Sequence, residues 1–194
     1  MMKTILAPSL LILLFMLSGC ARFVAAVSGP EPVGAADGER TFSQRVEDMS
    51  IERTFAINLY KLHPDFANSR VLVMSFYSNV LLVGQVPNEP LKKLAADNLK
   101  SMREVGTVHN ELVVSENATP MVARARDSVI SARIRSALTF AKGFPSSQCK
   151  VLVEDGVVYL MAKLKKAEAD QAIERVRQVP EVKRIVKLID YLPD

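Results

Sequence analysis

The second half of the chain repeats the pattern of the first, and this internal repeat constrains the fold more than any other feature of the sequence. Apolar residues at helical spacing recur 79 positions later, those of two strand-like runs 78 positions later, and those of a final run 77 positions later. The matched pairs include Ile51 and Ile130, Phe55 and Ile134, Val80 and Val158, Leu82 and Leu160, and Leu112 and Ile189. An offset that changes only between elements predicts two copies of one fold, at residues 46–115 and 125–192.

Each copy has the same order of local patterns: a helix, two strands, a second helix and a third strand. In the second copy, Asp155-Gly156 between two apolar runs is a hairpin signal. The simplest way to bury these apolar stripes is a three-stranded mixed sheet with two helices on one face. The sequence therefore predicts an α+β protein with two tandem αββαβ domains. Because each copy has only a small core and the linker at 116–124 is short, we expect the copies to pack against each other.

The N-terminus has the pattern of a secretory signal. Lys3 precedes an apolar run that ends at Leu17 and is too short to cross a membrane comfortably. The residues that follow, Ser18-Gly19-Cys20, complete a motif that resembles the lipobox of bacterial lipoproteins. The resemblance implies that residues 1–19 are removed and that Cys20 then carries diacylglycerol and an acyl chain. An ordinary signal peptide with an incidental cysteine is the alternative.

Residues 20–45 are predicted to be the acylated cysteine and a flexible tether, since Ala, Gly, Pro, Ser and charged residues dominate there without a sustained period. By resemblance to lipoprotein sorting signals, Ala21 and Arg22 favour the outer membrane. The expected location is therefore the outer membrane, with the folded part anchored by lipid and facing the periplasm. No cofactor is expected besides this covalent lipid.

The sequence contains none of the residue sets on which hydrolytic or metal-dependent enzymes rely. His63 precedes a proline and His109 alternates with a valine, and neither has a partner at metal-ligand spacing. Cys149 alternates with Val151 and Val153, which predicts burial rather than redox chemistry. Basic residues are not interleaved with aromatic residues in the way that nucleic-acid binding requires. We therefore expect neither an enzyme nor a nucleic-acid-binding protein.

Two short motifs connect the repeat to a known family. The second strands read VLLVG at 80–84 and VYLMA at 158–162, and valine steps open the last strands at 105–108 and 182–185. This pattern resembles the BON domain, and a lipobox, a tether and two such domains resemble the dual-BON lipoproteins of the bacterial outer membrane. The resemblance implies a non-enzymatic protein whose second domain binds anionic phospholipid (cardiolipin or phosphatidylglycerol), with a role in envelope integrity and at division sites. One departure is Ala162, where the family usually has glycine.

The first helix of the second copy carries the candidate lipid-binding surface. Beside its core stripe runs a second stripe in which Val129 and Phe140 flank Arg133, and a basic loop follows. Apolar side chains next to cations suit the surface of an anionic membrane. The candidate phospholipid-binding residues are Val129, Ala132, Arg133, Ser136, Phe140, Lys142 and Phe144. In the related family the docking helix has tryptophan at the position of Val129. The alternative is that Val129 and Phe140 pack against the first copy or widen the core face of the helix.

The corresponding helix of the first copy is more acidic. It carries three acidic residues, Glu47, Asp48 and Glu52, and two basic residues, Arg53 and Lys61. We therefore do not expect this helix to favour an anionic membrane. One copy is expected to dock on lipid while the other supports it or meets protein partners. The alternative function is that of a periplasmic adaptor whose partners are outer-membrane protein assembly factors.

Overall fold

The structure, a computed structural model, describes residues 38–193, which belong to one compact unit. The predicted signal peptide, Cys20 and the predicted tether up to residue 37 lie outside the described residues. Within the described part of the chain, no helix has both the length and the apolar character that crossing a membrane requires.

Two copies of one element order follow each other along the chain, as the repeat predicts. The first domain consists of α1 (Phe42–Leu62), a 3-10 helix (Pro64–Asn68), β1 (Arg70–Phe76), β2 (Asn79–Val86), α2 (Glu89–Lys100) and β3 (Val108–Val114). The second consists of α3 (Met121–Thr139), a 3-10 helix (Ser146–Gln148), β4 (Cys149–Glu154), β5 (Val157–Leu164), α4 (Lys166–Arg177) and β6 (Arg184–Tyr191). The predicted α+β class and the αββαβ order are confirmed.

Each domain has a three-stranded mixed sheet with its second strand in the centre. β1 runs antiparallel to β2 and β3 runs parallel to it, with Val73 opposite Leu82 and Leu82 opposite Asn110. β4, β5 and β6 pair in the same way, with Val151 opposite Leu160. Equivalent paired residues lie 78 positions apart in the first two strands of each sheet and 77 apart in the third, so the duplication extends to the strand register.

Both first helices begin earlier than the sequence pattern indicated. α1 begins at Phe42 because Thr41 and Gln44 form a capping box, in which the Gln44 backbone N–H donates to the Thr41 hydroxyl. α3 begins at Met121, four residues before the predicted start of the second domain. The last part of the predicted tether and the last part of the predicted linker are therefore helical.

The two sheets pack face to face, with the helices on the outside. Leu81 and Val83 of β2 lie between the sheets, where they join Tyr159 and Met161 of β5 in one buried cluster. The alternate residues of β2 and β5 face the helices of their own domains. The molecule thus has four layers in the order helix, sheet, sheet, helix. The expectation that the two copies pack against each other is confirmed.

Two ion pairs link the domains at the edges of this interface. Arg70 Nε donates to both carboxylate oxygens of Glu154, at 2.8 and 3.0 Å, and the Thr119 hydroxyl donates to the same carboxylate at 2.7 Å. Lys150 Nζ contacts the Glu52 carboxylate at 2.8 Å. Glu154 is buried, and a buried charge is stable only when it is paired. These contacts therefore favour one orientation of the two domains.

A buried carboxylate in each first helix holds the hairpin that follows it. In the first domain Asp48 accepts a hydrogen bond from the Ser78 backbone N–H at 3.0 Å. In the second domain Asp127, 79 positions later, accepts from the backbone N–H groups of Asp155 and Gly156, both at 2.8 Å. The carboxylates satisfy turn N–H groups that have no strand partner. Asp48, one of the three acidic residues of α1, is thus a buried structural group rather than a surface charge.

Candidate membrane-docking face of α3

α3 has two different sides. Ile130, Ile134 and Leu138 are buried in the core of the second domain. On another side Val129 is 48% exposed, and Phe140, which follows the last residue of the helix, is 85% exposed. The alternative in which these two side chains pack against the first domain is therefore not the arrangement observed.

The cations on this side are accessible to an approaching anion. The Arg133 guanidinium lies 3.6 Å from the Glu181 carboxylate, and both side chains are about half exposed. Exposed ion pairs of this kind contribute little free energy, so the pairing does not prevent the guanidinium from contacting another anion. Lys142 is exposed in the loop after the helix. Asp127, the one acidic residue of α3, is buried and therefore does not repel an anion here.

Phe144 does not belong to this side. It is 8% exposed and packs in the core of the second domain with Ala141. The loop turns at Gly143, which has a φ of +71°, and the Phe144 N–H donates to the Ala141 carbonyl at 3.1 Å. Because this turn carries the ring inward, the structure removes Phe144 from the predicted phospholipid-binding set.

The first turn of α3 adds residues to this side that the predicted set did not contain. Met121 and Val122 are exposed, and Arg126 is exposed one turn later. Val122 and Arg126 lie seven and three positions before Val129, which places them on the same side of the helix. This spacing was a usable signal, but the predicted domain start assigned the first turn to the linker.

The exposed side of α3 therefore carries apolar, small and basic residues together. Ala132 and Ser136 are exposed between the larger side chains, and their small size lets the helix backbone approach a flat surface closely. We refer to this surface as the α3 face, and it comprises Val122, Arg126, Val129, Ala132, Arg133, Ser136, Phe140 and Lys142.

The two histidines lie at separate places in the first domain. Among residues 38–193, no group of three or more His, Cys, Asp or Glu side chains is placed to hold a metal ion. His63 Nδ1 accepts a hydrogen bond from the Asp65 backbone N–H at 3.2 Å, which caps the first 3-10 helix. His109 is partly buried in β3.

Cys149 is expected to react slowly in the folded protein. Burial against the second core, with a smaller contribution from Glu168, raises the pKa of its thiol to about 12. At pH 8 its thiolate is then about a thousandfold less abundant than in an unfolded chain with an ordinary thiol pKa. Alkylation of residues 21–194, where Cys149 is the single cysteine, with and without denaturant checks this. Equal alkylation rates in the two conditions would contradict the burial of the thiol.

Comparison with known proteins places both domains in one family. The family profile described as BON domain matches residues 58–116 and 126–193. The chain is 30% identical over 178 residues to the outer membrane lipoprotein DolP of Haemophilus influenzae. This alignment covers 91% of the chain and 90% of the relative, so it extends over nearly the whole length of both proteins.

Two further relatives have the same level of identity. The 21 kDa hemolysin of Actinobacillus pleuropneumoniae is 30% identical over 153 residues, which cover 79% of this chain and 78% of that protein. An uncharacterized protein of Anaplasma centrale is 30% identical over 123 residues, which cover 62% of this chain and 81% of that protein. The chain therefore belongs to the BON-domain family, as a lipoprotein of the DolP type with two BON domains.

Proposed function

We propose that the protein is a non-enzymatic outer-membrane lipoprotein that binds anionic phospholipid through the α3 face. The observation that carries the proposal is the presence of exposed apolar side chains, Val129 and Phe140, around the accessible cation Arg133. Apolar side chains insert among lipid chains while cations contact phosphate groups, and neither interaction requires a pocket. Cardiolipin and phosphatidylglycerol are the anionic lipids that fit this chemistry.

Two attachments of different strength hold the protein in this proposal. Acyl chains at Cys20 anchor it, because several acyl chains together bind a membrane stably. Each cation near an anionic surface contributes about 1 kcal/mol, so Arg126, Arg133 and Lys142 select the lipid composition rather than supply the anchor. Salt screens exposed charges beyond about 10 Å at 0.1 M ionic strength. The selection should therefore weaken as salt is added.

This selection gives the protein a role at membrane regions that are rich in anionic lipid. The DolP relative, an outer membrane lipoprotein, supports a location at the outer membrane with the folded unit in the periplasm. The part of the predicted tether before α1, residues 20–41, is long enough for the unit to turn back to the membrane that holds its anchor. We therefore propose that the protein supports envelope integrity and acts at division sites.

Co-sedimentation of residues 21–194 with phospholipid vesicles tests the proposal. This fragment contains the compact unit but lacks the anchor. We expect it to bind vesicles that contain cardiolipin or phosphatidylglycerol, and to bind pure phosphatidylcholine much less. Phe140→Ala combined with Arg133→Glu is expected to weaken binding about tenfold or more, since it removes an inserted ring and reverses a charge.

The matched control is Tyr191→Ala combined with Lys187→Glu. It also removes an exposed aromatic ring and reverses one charge, but on β6, and is expected to bind as the unchanged chain does. Equal binding by the two double variants would contradict the role of the α3 face. If residues 21–194 bind vesicles of none of these compositions, the adaptor function with outer-membrane assembly proteins becomes the better explanation.

A further inference from the structure

The outer side of α1 carries an apolar stripe that the first domain does not cover. The α1 stripe consists of five exposed residues, Phe42, Val46, Met49, Ile57 and Tyr60. At 100° per residue these side chains lie within about 80° of one another and point away from the core. Phe42 is 75% exposed, and Tyr60, about 27 Å farther along the helix, is 65% exposed.

The α1 stripe is not required by the fold. The corresponding residues of α3, 79 positions later, are Met121, Ala125, Ser128, Ser136 and Thr139. Four of these five side chains are small or polar, although α3 packs on its own sheet as α1 does. Large exposed apolar groups that one copy has and the other lacks indicate a contact outside the domain.

The charges around the α1 stripe differ from what the sequence suggested. Asp48 is buried and paired with Arg40 at 2.8 Å, and Glu52 is paired with Lys150. Arg53 is exposed and lies within the stripe. Two of the three acidic residues that argued against an anionic surface are therefore neutralised by partners, while the central cation is accessible.

Further cations border the stripe. Lys61 is exposed at one border, and Arg45 at the other, where it contacts Glu39 at 3.3 Å in an exposed pair. The remaining acidic residue of α1, Glu47, lies about 120° around the helix from the centre of the stripe. The side of α1 that points away from the domain thus combines apolar side chains with net positive charge.

A second copy of the chain is a poor occupant of the α1 stripe. In a two-fold pairing of α1 with itself the central residues of the stripe meet, and Arg53 lies close to that centre. Two guanidinium groups would then face each other inside an apolar contact, which costs free energy. A lipid surface instead offers a phosphate to the Arg53 guanidinium and acyl chains to its aliphatic stem.

We propose that the α1 stripe is a second membrane-docking surface, which takes an anionic phospholipid bilayer. An amphipathic helix of this kind lies in the plane of the interface with its apolar side inserted. α1 and α3 lie in the two outer layers of the fold, each on the outer side of its own sheet, so the α1 stripe and the α3 face are separate surfaces. One molecule can then connect two bilayer surfaces, a consequence that rests on the proposed function of the α3 face.

Vesicle binding and vesicle aggregation together test this proposal. Residues 21–194 are mixed with vesicles of equimolar phosphatidylcholine and phosphatidylglycerol, and co-sedimentation and turbidity are recorded. The test variant, Met49→Ser with Ile57→Ser, introduces the serines that α3 has at positions 128 and 136, so the fold should tolerate it. We expect the unchanged chain to aggregate vesicles, and the variant to remain bound but to aggregate them about tenfold less.

Two control variants isolate the stripe. Val113→Ser removes an exposed apolar side chain from β3 and is expected to aggregate vesicles as the unchanged chain does. Phe140→Ala with Arg133→Glu weakens the α3 face, and its residual binding is expected to disappear when Met49→Ser and Ile57→Ser are added. Sedimentation velocity without lipid records whether copies of the chain associate.

The outcomes separate the two docking faces. If the α1 substitutions change neither binding nor aggregation, the α1 proposal is overturned. Self-association without lipid that these substitutions abolish also overturns it, because the stripe then binds a second copy. If the α1 stripe binds lipid and the α3 face does not, the unchanged chain binds vesicles without aggregating them, and the α1 substitutions abolish that binding. This last result supports the α1 stripe and overturns the α3 proposal.

Discussion

Replacing Asp48 with alanine is expected to lower the free energy of unfolding by about 3–5 kcal/mol. The buried carboxylate accepts hydrogen bonds from Arg40 at 2.8 Å, from the Ser75 hydroxyl at 2.7 Å and from the Ser78 backbone N–H at 3.0 Å. Alanine leaves the largely buried guanidinium without its partner and the turn N–H unsatisfied, and both changes are costly. Urea unfolding of residues 21–194, followed by circular dichroism, measures the loss.

The neighbouring Glu47 provides the matched control because it is an exposed carboxylate on the same helix. Glu47→Ala is expected to change the free energy of unfolding by less than about 0.5 kcal/mol. Asp127→Ala should cost less than Asp48→Ala, since its partners are two backbone N–H groups rather than an arginine. A loss below about 1 kcal/mol for Asp48→Ala would show that the carboxylate does not hold the hairpin.

Gly84→Ala is expected to destabilise the first domain by about 3 kcal/mol or more. A Cβ at Gly84 would lie 1.9 Å from the Arg70 carbonyl oxygen, and the φ of +121° is one that other residues rarely adopt. β1 would have to move away from β2, and Arg70 would move with it although it holds Glu154 across the interface. We therefore expect the contact between the domains to loosen as well.

Ala162 supplies the control for this substitution within the same molecule. It occupies the equivalent position of β5, 78 residues later, and pairs with Cys149 in a regular strand. Ala162→Gly is expected to cost only about 1 kcal/mol, mainly through backbone entropy. Thermal unfolding compares the two variants, and a Gly84→Ala chain as stable as the unchanged one would contradict the close approach of β1 and β2.

The element order and the exposed part of the α3 face could be predicted because they depend on local periods. Helical and strand periods are properties of short segments. The repeated patterns were therefore enough to predict two αββαβ domains and the turn at Asp155-Gly156. The same helical period places Val129, Arg133 and Phe140 on one side of α3, where the structure has them exposed. The start of α3 was missed because its first turn has no side-chain cap to mark it.

Periodicity separates the sides of a helix but does not say which sides are covered. Asp48 and Phe144 had the pattern of surface groups, yet one lies beneath a hairpin and the other turns into the core after Gly143. Glu52 had the same pattern, and its partner Lys150 is far away in the sequence. The sequence by itself determined the architecture of each domain. Only the tertiary structure decided which charges are paired and which stay exposed, because hairpins fold over Asp48 and Asp127 and the two sheets pack on the apolar surface buried between them.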